Sequence, residues 1–399
     1  MTKHSAIRTP QSAIVVVGAG PAGAGLAIRL AAAGHKVTLV EKEKFPREKL
    51  CGEFISPECF RHFGDLGVRD EMMSLGGARL TETRFFDAAG RSVSVPTRWF
   101  GHGDFALSLS RARMDAALLR RARVLGVNVL EGSRLTALGA DDGCISSIAI
   151  RSGDGERNDI SAALYVDATG RAGTLTRLLE KNEEQAAPKR PALVAFKNHL
   201  VNVETDLDAC EIYMFDGGYG GLSPIEDGKA NLCFIVRAEK TKQIIGKTND
   251  HIGFVAGCNA RAARTVRGAE PLGEWLAVPV SDFGRKSPPN ARNAIAVGDA
   301  AAFIDPFTGS GMLLALESSE LLAKCIAEHG VSGELQAVYA REHEAKFRKR
   351  LAACAMLRRA AFMPRLATAA ILAAGLSDRL TERLARATRA GSRLSGGRV

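Results

Sequence analysis

Residues 13–43, AIVVVGAGPAGAGLAIRLAAAGHKVTLVEKE, restrict the fold more than any other stretch. The run 13–17 is continuous, apolar and rich in β-branched residues, the pattern of a strand covered on both faces. Gly18, Gly20 and Gly23 follow, and Leu26, Ile28, Leu30 and the alanines around them read as a helix that Gly34 ends. Residues 36–40 read as a second strand, closing in Glu41. Three glycines at this spacing say little alone. Between a strand and a helix, with an acid about 20 residues further on, they mark a dinucleotide-binding unit. Gly18 permits the tight turn, Gly20 lets the backbone approach a pyrophosphate, and Gly23 lets helix and strand pack closely. The helix opens at Pro21 and Ala22, where unpaired N–H groups face the phosphates. Glu41 is placed to accept from a ribose diol.

A second segment lies some 280 residues later. In AVGDAAAFIDPFTGSGM (296–312), an expected strand at 293–297 runs into Gly298 and Asp299, then into a loop with Pro306, Gly309 and Gly311. Asp299 is positioned to receive a ribityl hydroxyl, and Pro306, Gly309, Gly311 and Met312 to lie against an isoalloxazine ring. A helix over 313–322 would turn its N-terminus toward the charge that reduction creates there. Two distant segments converging on one elongated cofactor specify FAD.

With 399 residues, 46% of them hydrophobic and 25% charged, the chain has room for two or three packed units. A net charge of +10, thickening after Glu342, favours anionic partners, and a cofactor or membrane surface fits as well as nucleic acid. No nucleic-acid-binding motif accompanies it, so nucleic acid is not expected. Eight cysteines without a CxxC pair argue against zinc, iron–sulfur clusters and a disulfide scaffold, and for a reducing compartment. The polar start and the shortness of the apolar runs add the expectation of a cytoplasmic protein without signal peptide or membrane span.

Together these segments resemble the FAD-dependent family of geranylgeranyl reductases, flavin-dependent halogenases and single-component monooxygenases, from Ala13 to about Glu342. EKEKFPREKLCGEFISPE (41–58) is similar to the segment that wraps the flavin, which implies contacts from Lys42, Lys49, Cys51 and Gly52. SLSRARMDAALLRRARVLGVNVLEG (108–132) resembles the family helix whose leading arginine, Arg111 in this chain, meets the pyrophosphate or adenosine. LTAL (135–138) resembles the strand whose backbone meets the adenine, with Leu135 as the contact, and YVDATG (165–170) the strand end beneath the cofactor. The resemblance implies an α/β fold: a Rossmann-like, glutathione-reductase-like FAD-binding domain (1–84, 104–181, 284–340) with an inserted mixed β-sheet substrate domain (85–103, 182–283). Strand-like runs at 192–203, 210–236 and 277–283 suit that sheet. Helices are expected from Arg341, broken at Pro364 and near Gly375, with a disordered tail at 391–399. Two readings of these helices stay open: a lid or peripheral membrane contact, or packed helices with a solvated basic face.

The resemblance also bears on chemistry. Cys51–Gly52 is similar to the Cys–Gly of the reductases, where a thiol near the flavin donates a proton to the reacting carbon or packs against the ring. Tyr213, Phe215 and Tyr219 resemble the reductases' tunnel-lining run, or are core residues of the sheet; Gly221 and Ser223 replace its usual aromatic residues. The halogenases' Trp-x-Trp-x-Ile-Pro motif is absent and no lysine follows Glu53 before Lys181, so halogenation is not expected. The hydroxylases' asparagine is missing after Gly311. The reading is an FAD-dependent oxidoreductase reducing a C=C bond of a hydrophobic small molecule. Its alternatives are a monooxygenase acting on an aromatic, polyketide or quinone-like substrate, and a flavoprotein passing electrons to a quinone or partner. With one dinucleotide fingerprint, electrons come from transient NAD(P)H docking or a separate reductase.

Overall fold

The computed structural model describes residues 12–100, 103–180, 192–244, 250–281 and 283–389. The expected tail at 391–399 and the domain boundary near 181 fall outside them. The chain opens with strand β1 (Ser12–Val17), helix α1 (Pro21–Ala32) and strand β2 (Val37–Val40). It leaves for a second layer as β3 (Glu82–Phe86) and β4 (Ser92–Pro96), then returns through α2 (Arg111–Val124), β5 (Asn128–Leu130) and β6 (Ala162–Asp167). A longer excursion supplies β7 (Leu193–Val201), β8 (Ala209–Phe215), β9 (Gly218–Pro224), β10 (Ala230–Arg237), α3 (His251–Cys258), α4 (Ala260–Thr265) and β11 (Leu276–Val280). The chain re-enters the first layer at β12 (Ala294–Ala296) and α5 (Gly311–His329). It ends in α6 (Leu335–Ala361), α7 (Pro364–Gly375) and α8 (Asp378–Ala387).

The first layer is a parallel sheet in the order β12-β6-β1-β2-β5. Its central strand, β1, is buried on both faces, which explains its unbroken apolar run. Helices α1, α2 and α5 pack on one face in a single core with Phe60, Phe63 and Leu107. A smaller cluster around Leu135, Ile148 and Tyr165 fills the other face. The second layer is a mixed sheet with its spine in the order β7-β10-β9-β8-β3-β4, β11 pairing with β7. Its first strand begins at Glu82, three residues ahead of the expected boundary, because β3 pairs in parallel with β8 and so belongs wholly to this sheet. Likewise α6 starts at Leu335 rather than Arg341, with breaks at Pro364 and after Gly375.

Strand alternation gives the second sheet two distinct faces. Tyr213, Phe215, Phe234 and Phe196 share one, packed under α3 and α4 with Val255 and Ala262. Registered pairs place Phe85, Ile212, Gly221, Cys233 and Lys197 in a row on the other, turned toward the first layer.

Candidate functional site

Three segments far apart in sequence meet at one point. Gly18 has φ +104°, and a Cβ there would lie 2.4 Å from the Ala168 carbonyl oxygen. A Cβ on Gly23 would lie 1.8 Å from the Gly18 carbonyl oxygen, so both glycines are enforced by close packing. Gly298, with φ +60°, is wedged between the helices, its absent Cβ only 2.8 Å from Ala22 Cβ and 3.8 Å from Ala315 Cβ. It thereby sets Asp299 beside the start of α1. Both α1 and α5 begin without a side-chain cap or an acid in the first turn, leaving their first amide groups for an anion or an electron-rich ring edge.

Glu41 braces this turn. Its Oε2 accepts the Ala19 N–H at 2.8 Å and its Oε1 the Glu43 N–H at 3.0 Å. Opposite the turn, Arg111 reaches over Gly20, its Nη2 3.7 Å from where a Cβ would be. Arg111 donates to fully buried Asp115 from Nε at 3.0 Å and Nη2 at 2.7 Å, and Arg47 donates to the same carboxylate at 2.9 Å. Asp115 therefore aims two arginines at the glycine turn. Lys49 is solvent-accessible yet crowded by protein, as on the wall of a cleft. Burial, then the charges of Arg47, Arg111, Lys42 and Arg171, pull its pKa down to about 8. A lysine displaced this way reports a positive field, where an anion such as a pyrophosphate is stabilised. Half-buried Asp299 shifts the opposite way: burial raises its pKa, partly offset by Arg171, Lys286, Arg111 and Lys49. Glycine turn, uncapped helix starts and positive field together fit FAD.

The Cys51 turn closes the cleft on its second-layer side. Glu53, at φ +57°, donates its N–H to Cys51 Sγ at 3.3 Å, and Asn231 on β10 donates to the Cys51 carbonyl at 3.1 Å. The Arg111 guanidinium stands beside the same thiol. Cys233 lies nearby, its own thiol pushed up to about 12, mainly by burial. A Cβ on Gly52 would meet nothing within 4 Å, so the turn is open there. The buried Glu53 carboxylate accepts from Lys197 Nζ at 2.7 Å and from the Arg111 N–H at 2.9 Å, and pairs with His199 Nε2 at 2.7 Å. Burial opposes its ionisation, but the His199 hydrogen bond and the Lys197 charge prevail and lower its pKa. Lys197 also donates to Glu48 at 2.6 Å. Glu48, Glu53 and His199 lie close enough to share a metal ion, but the Lys197 ammonium already takes the cation's position among their carboxylates.

Of the tunnel candidates, only Tyr219 comes to this side. It donates to Asp305 at 2.6 Å, and Asp305 also accepts the Phe307 N–H within the Pro306 loop. Tyr213 and Phe215 are on the far face, where Tyr213 donates to Glu211 at 2.7 Å; strand parity corrects their expected substrate role to a core one. Tyr219, Phe303, Phe307, Phe283, Phe362, Phe85 and Leu50 form one apolar wall. Gly309, at φ +61°, presses on Phe54, and Met312 is buried in the first turn of α5. The Leu135 side chain is core, leaving its backbone for contact, and Lys42 is at the exposed rim, paired with Glu43 at 3.3 Å. Sequence reading missed Arg47, Asp115, Arg171, Glu53 and Lys197. Two had visible signals: Asp115 is four residues after Arg111 on one helix, and Lys197 is a lone charge inside an apolar strand.

Among known proteins, the chain is similar to the flavin-dependent halogenase armH3 of Armillaria mellea, 28% identical over 346 residues, 79% of this chain and 67% of that one. It is 26% identical over 348 residues to a digeranylgeranylglycerophospholipid reductase of Methanosarcina mazei, covering 84% and 80% of the two chains. In structure it resembles the flavin-dependent brominase Bmp2, with TM-score 0.77 at 20% identity over 94% of each chain, a likeness of fold. The FAD binding domain family matches residues 11–344, the region that builds both the parallel sheet and the cleft. The chain belongs to that family of FAD-dependent oxidoreductases, monooxygenases and halogenases and is a flavoenzyme.

Proposed function

We propose that this flavoenzyme reduces a C=C bond of a hydrophobic small molecule. The observation that carries the reading is the Cys51 thiol, half-exposed on the cleft and next in sequence to Leu50 of the apolar wall. When bound, reduced FAD supplies the two electrons, as hydride, that such a reduction consumes. Glu41, Arg111, Arg47, Lys49 and Asp299 would hold it, Arg111 and Arg47 being oriented by Asp115. The wall of Phe85, Phe283, Phe307 and Phe362 binds the substrate and keeps water from it. Cys51 gives its proton to the second carbon, leaving a thiolate that faces the Arg111 guanidinium and the Glu53 N–H. Solvent at the open side of the turn returns the proton. NAD(P)H, docking transiently, is the proposed reductant.

An anaerobic single turnover with reduced flavin and an unsaturated isoprenoid alcohol tests the proposal. A saturated product is expected without O2, and Cys51→Ala should slow its formation about 10²-fold or more while leaving FAD bound. Product formed only when O2 is admitted would replace reduction by monooxygenation.

A further inference from the structure

The inner side of α7 is accounted for: Ala367 and Ile371 pack onto Tyr219 and Phe303. Its outer side is not. Leu366, Ala369, Ala370, Leu372, Ala373 and Leu376 all face solvent. Met363, Leu366, Leu372 and Leu376 are 50%, 48%, 52% and 88% exposed, and Met356, at 59%, continues the patch onto α6. Elsewhere among the described residues exposed large apolar side chains are scattered, as Val124, Leu207, Leu272 and Val331. A contiguous apolar face of this kind marks a surface that meets something.

Charge identifies what it meets. Residues 345–377 contain seven Lys or Arg and no Asp or Glu. Arg350 and Arg358 are used internally, against Glu317 and Asp305. Arg359, Arg365 and Arg379 stand exposed around the apolar face. An apolar stripe edged by Arg359, Arg365 and Arg379, with Asp378 as the one exposed acid beside them, is complementary to an anionic lipid surface, with methyl groups in the acyl boundary and guanidinium groups among phosphates. A second copy of the chain suits it poorly. One face of a 12-residue helix measures about 18 Å by 10 Å, or roughly 180 Å², against about 800 Å² per partner in a stable interface, and two copies would oppose like charges. No helix among the described residues is long and apolar enough to cross a membrane, so the contact lies on the surface. We propose that α7 and its flanking arginines dock the enzyme on an anionic bilayer. Docking would set the wall behind Ala367 and Ile371 at the lipid boundary, and it stands whichever reaction the cleft performs.

The test is flotation of the FAD-loaded full chain with vesicles of phosphatidylglycerol and phosphatidylcholine, or of phosphatidylcholine alone. The protein should float with the anionic vesicles, and the bound fraction should fall about tenfold or more without phosphatidylglycerol or at high salt. The double variant L372E/L376E, altered only at exposed positions, should keep its flavin spectrum and lose anionic-vesicle binding about tenfold or more. Failure to float with anionic vesicles, or equal binding by L372E/L376E, would overturn the proposal. So would a lipid-free dimer, seen by sedimentation, that L372E/L376E dissociates.

Discussion

Lys49 and Asp299 share one cleft, and desolvation pushes each toward its neutral form. A bound diphosphate reverses that for Lys49, because a nearby anion raises a lysine's pKa. FAD binding should therefore take up a proton above about pH 8, where the free protein's lysine has lost it. Affinity should be level below that pH and weaken above it by up to about one decade per pH unit. Lys49→Met should bind more weakly at neutral pH and lose this slope; titration by flavin fluorescence over pH 6.5–9.5 (about three units) measures both. Asp299→Ala removes a charged acceptor worth about 1.5–3 kcal/mol, so FAD should bind roughly 10–100-fold more weakly in the same titration. These two side chains were legible because each stands in a local motif. Lys197 was not, although it is the lone charge of its strand: its partners Glu48 and Glu53 lie some 145 residues earlier, and only the fold joins them.

Alternation and glycine spacing marked where strands and helices run, yet not which side of a strand serves the cleft. Tyr213 and Phe215 are on one face and Tyr219 on the other because the Asp216–Gly217 turn reverses the chain between them, with Met214 opposite Tyr219. The deciding information is the cover of α3 and α4 on the far face, a tertiary fact that the composition of β8 does not contain. Helix–helix approach was hidden similarly. Gly298 resembles any turn glycine until α1 and α5 are seen to close on it. Gly298→Ala should cost more than its backbone strain, because its Cβ would lie 2.8 Å from Ala22 Cβ. Gly34, at φ +86° with nothing within 4 Å, supplies the control. Gly34→Ala should lose about 1 kcal/mol in urea unfolding, and Gly298→Ala about 1–3 kcal/mol beyond it. Equal losses would mean that α1 and α5 separate freely at this point.

Polar bonds tie the two layers at several points, among them Ser108 to Ser223, the Ser110 N–H to Glu226, Tyr219 to Asp305 and Asn231 to the Cys51 carbonyl, and one buried charged set is centred on Glu53. Its carboxylate lies at the Cys51 turn of the first layer, accepts the N–H that opens α2, and bonds Lys197 and His199 of β7 in the second. Both groups are buried, so removing one leaves the other with a reduced set of partners, His199 for Glu53 and Glu48 for Lys197. Lys197→Met should accordingly destabilise the protein by about 3–5 kcal/mol, and Lys197→Met with Glu53→Gln by less than the sum of the two single changes. FAD would be held by first-layer residues from early and late in the chain, Glu41 and Asp299 among them, so its binding free energy would enter directly as stability of that layer. At a hundredfold excess over Kd it adds about 2.7 kcal/mol, roughly 3 °C in midpoint for a chain of this length. The Glu53 set is the buried charged part of the link through which the second layer shares the gain. With that set intact, calorimetry should show one transition that moves as a unit when FAD is added. In Lys197→Met the transition should split, and FAD should raise only the component carrying the parallel sheet, while the mixed sheet melts at a temperature indifferent to the cofactor.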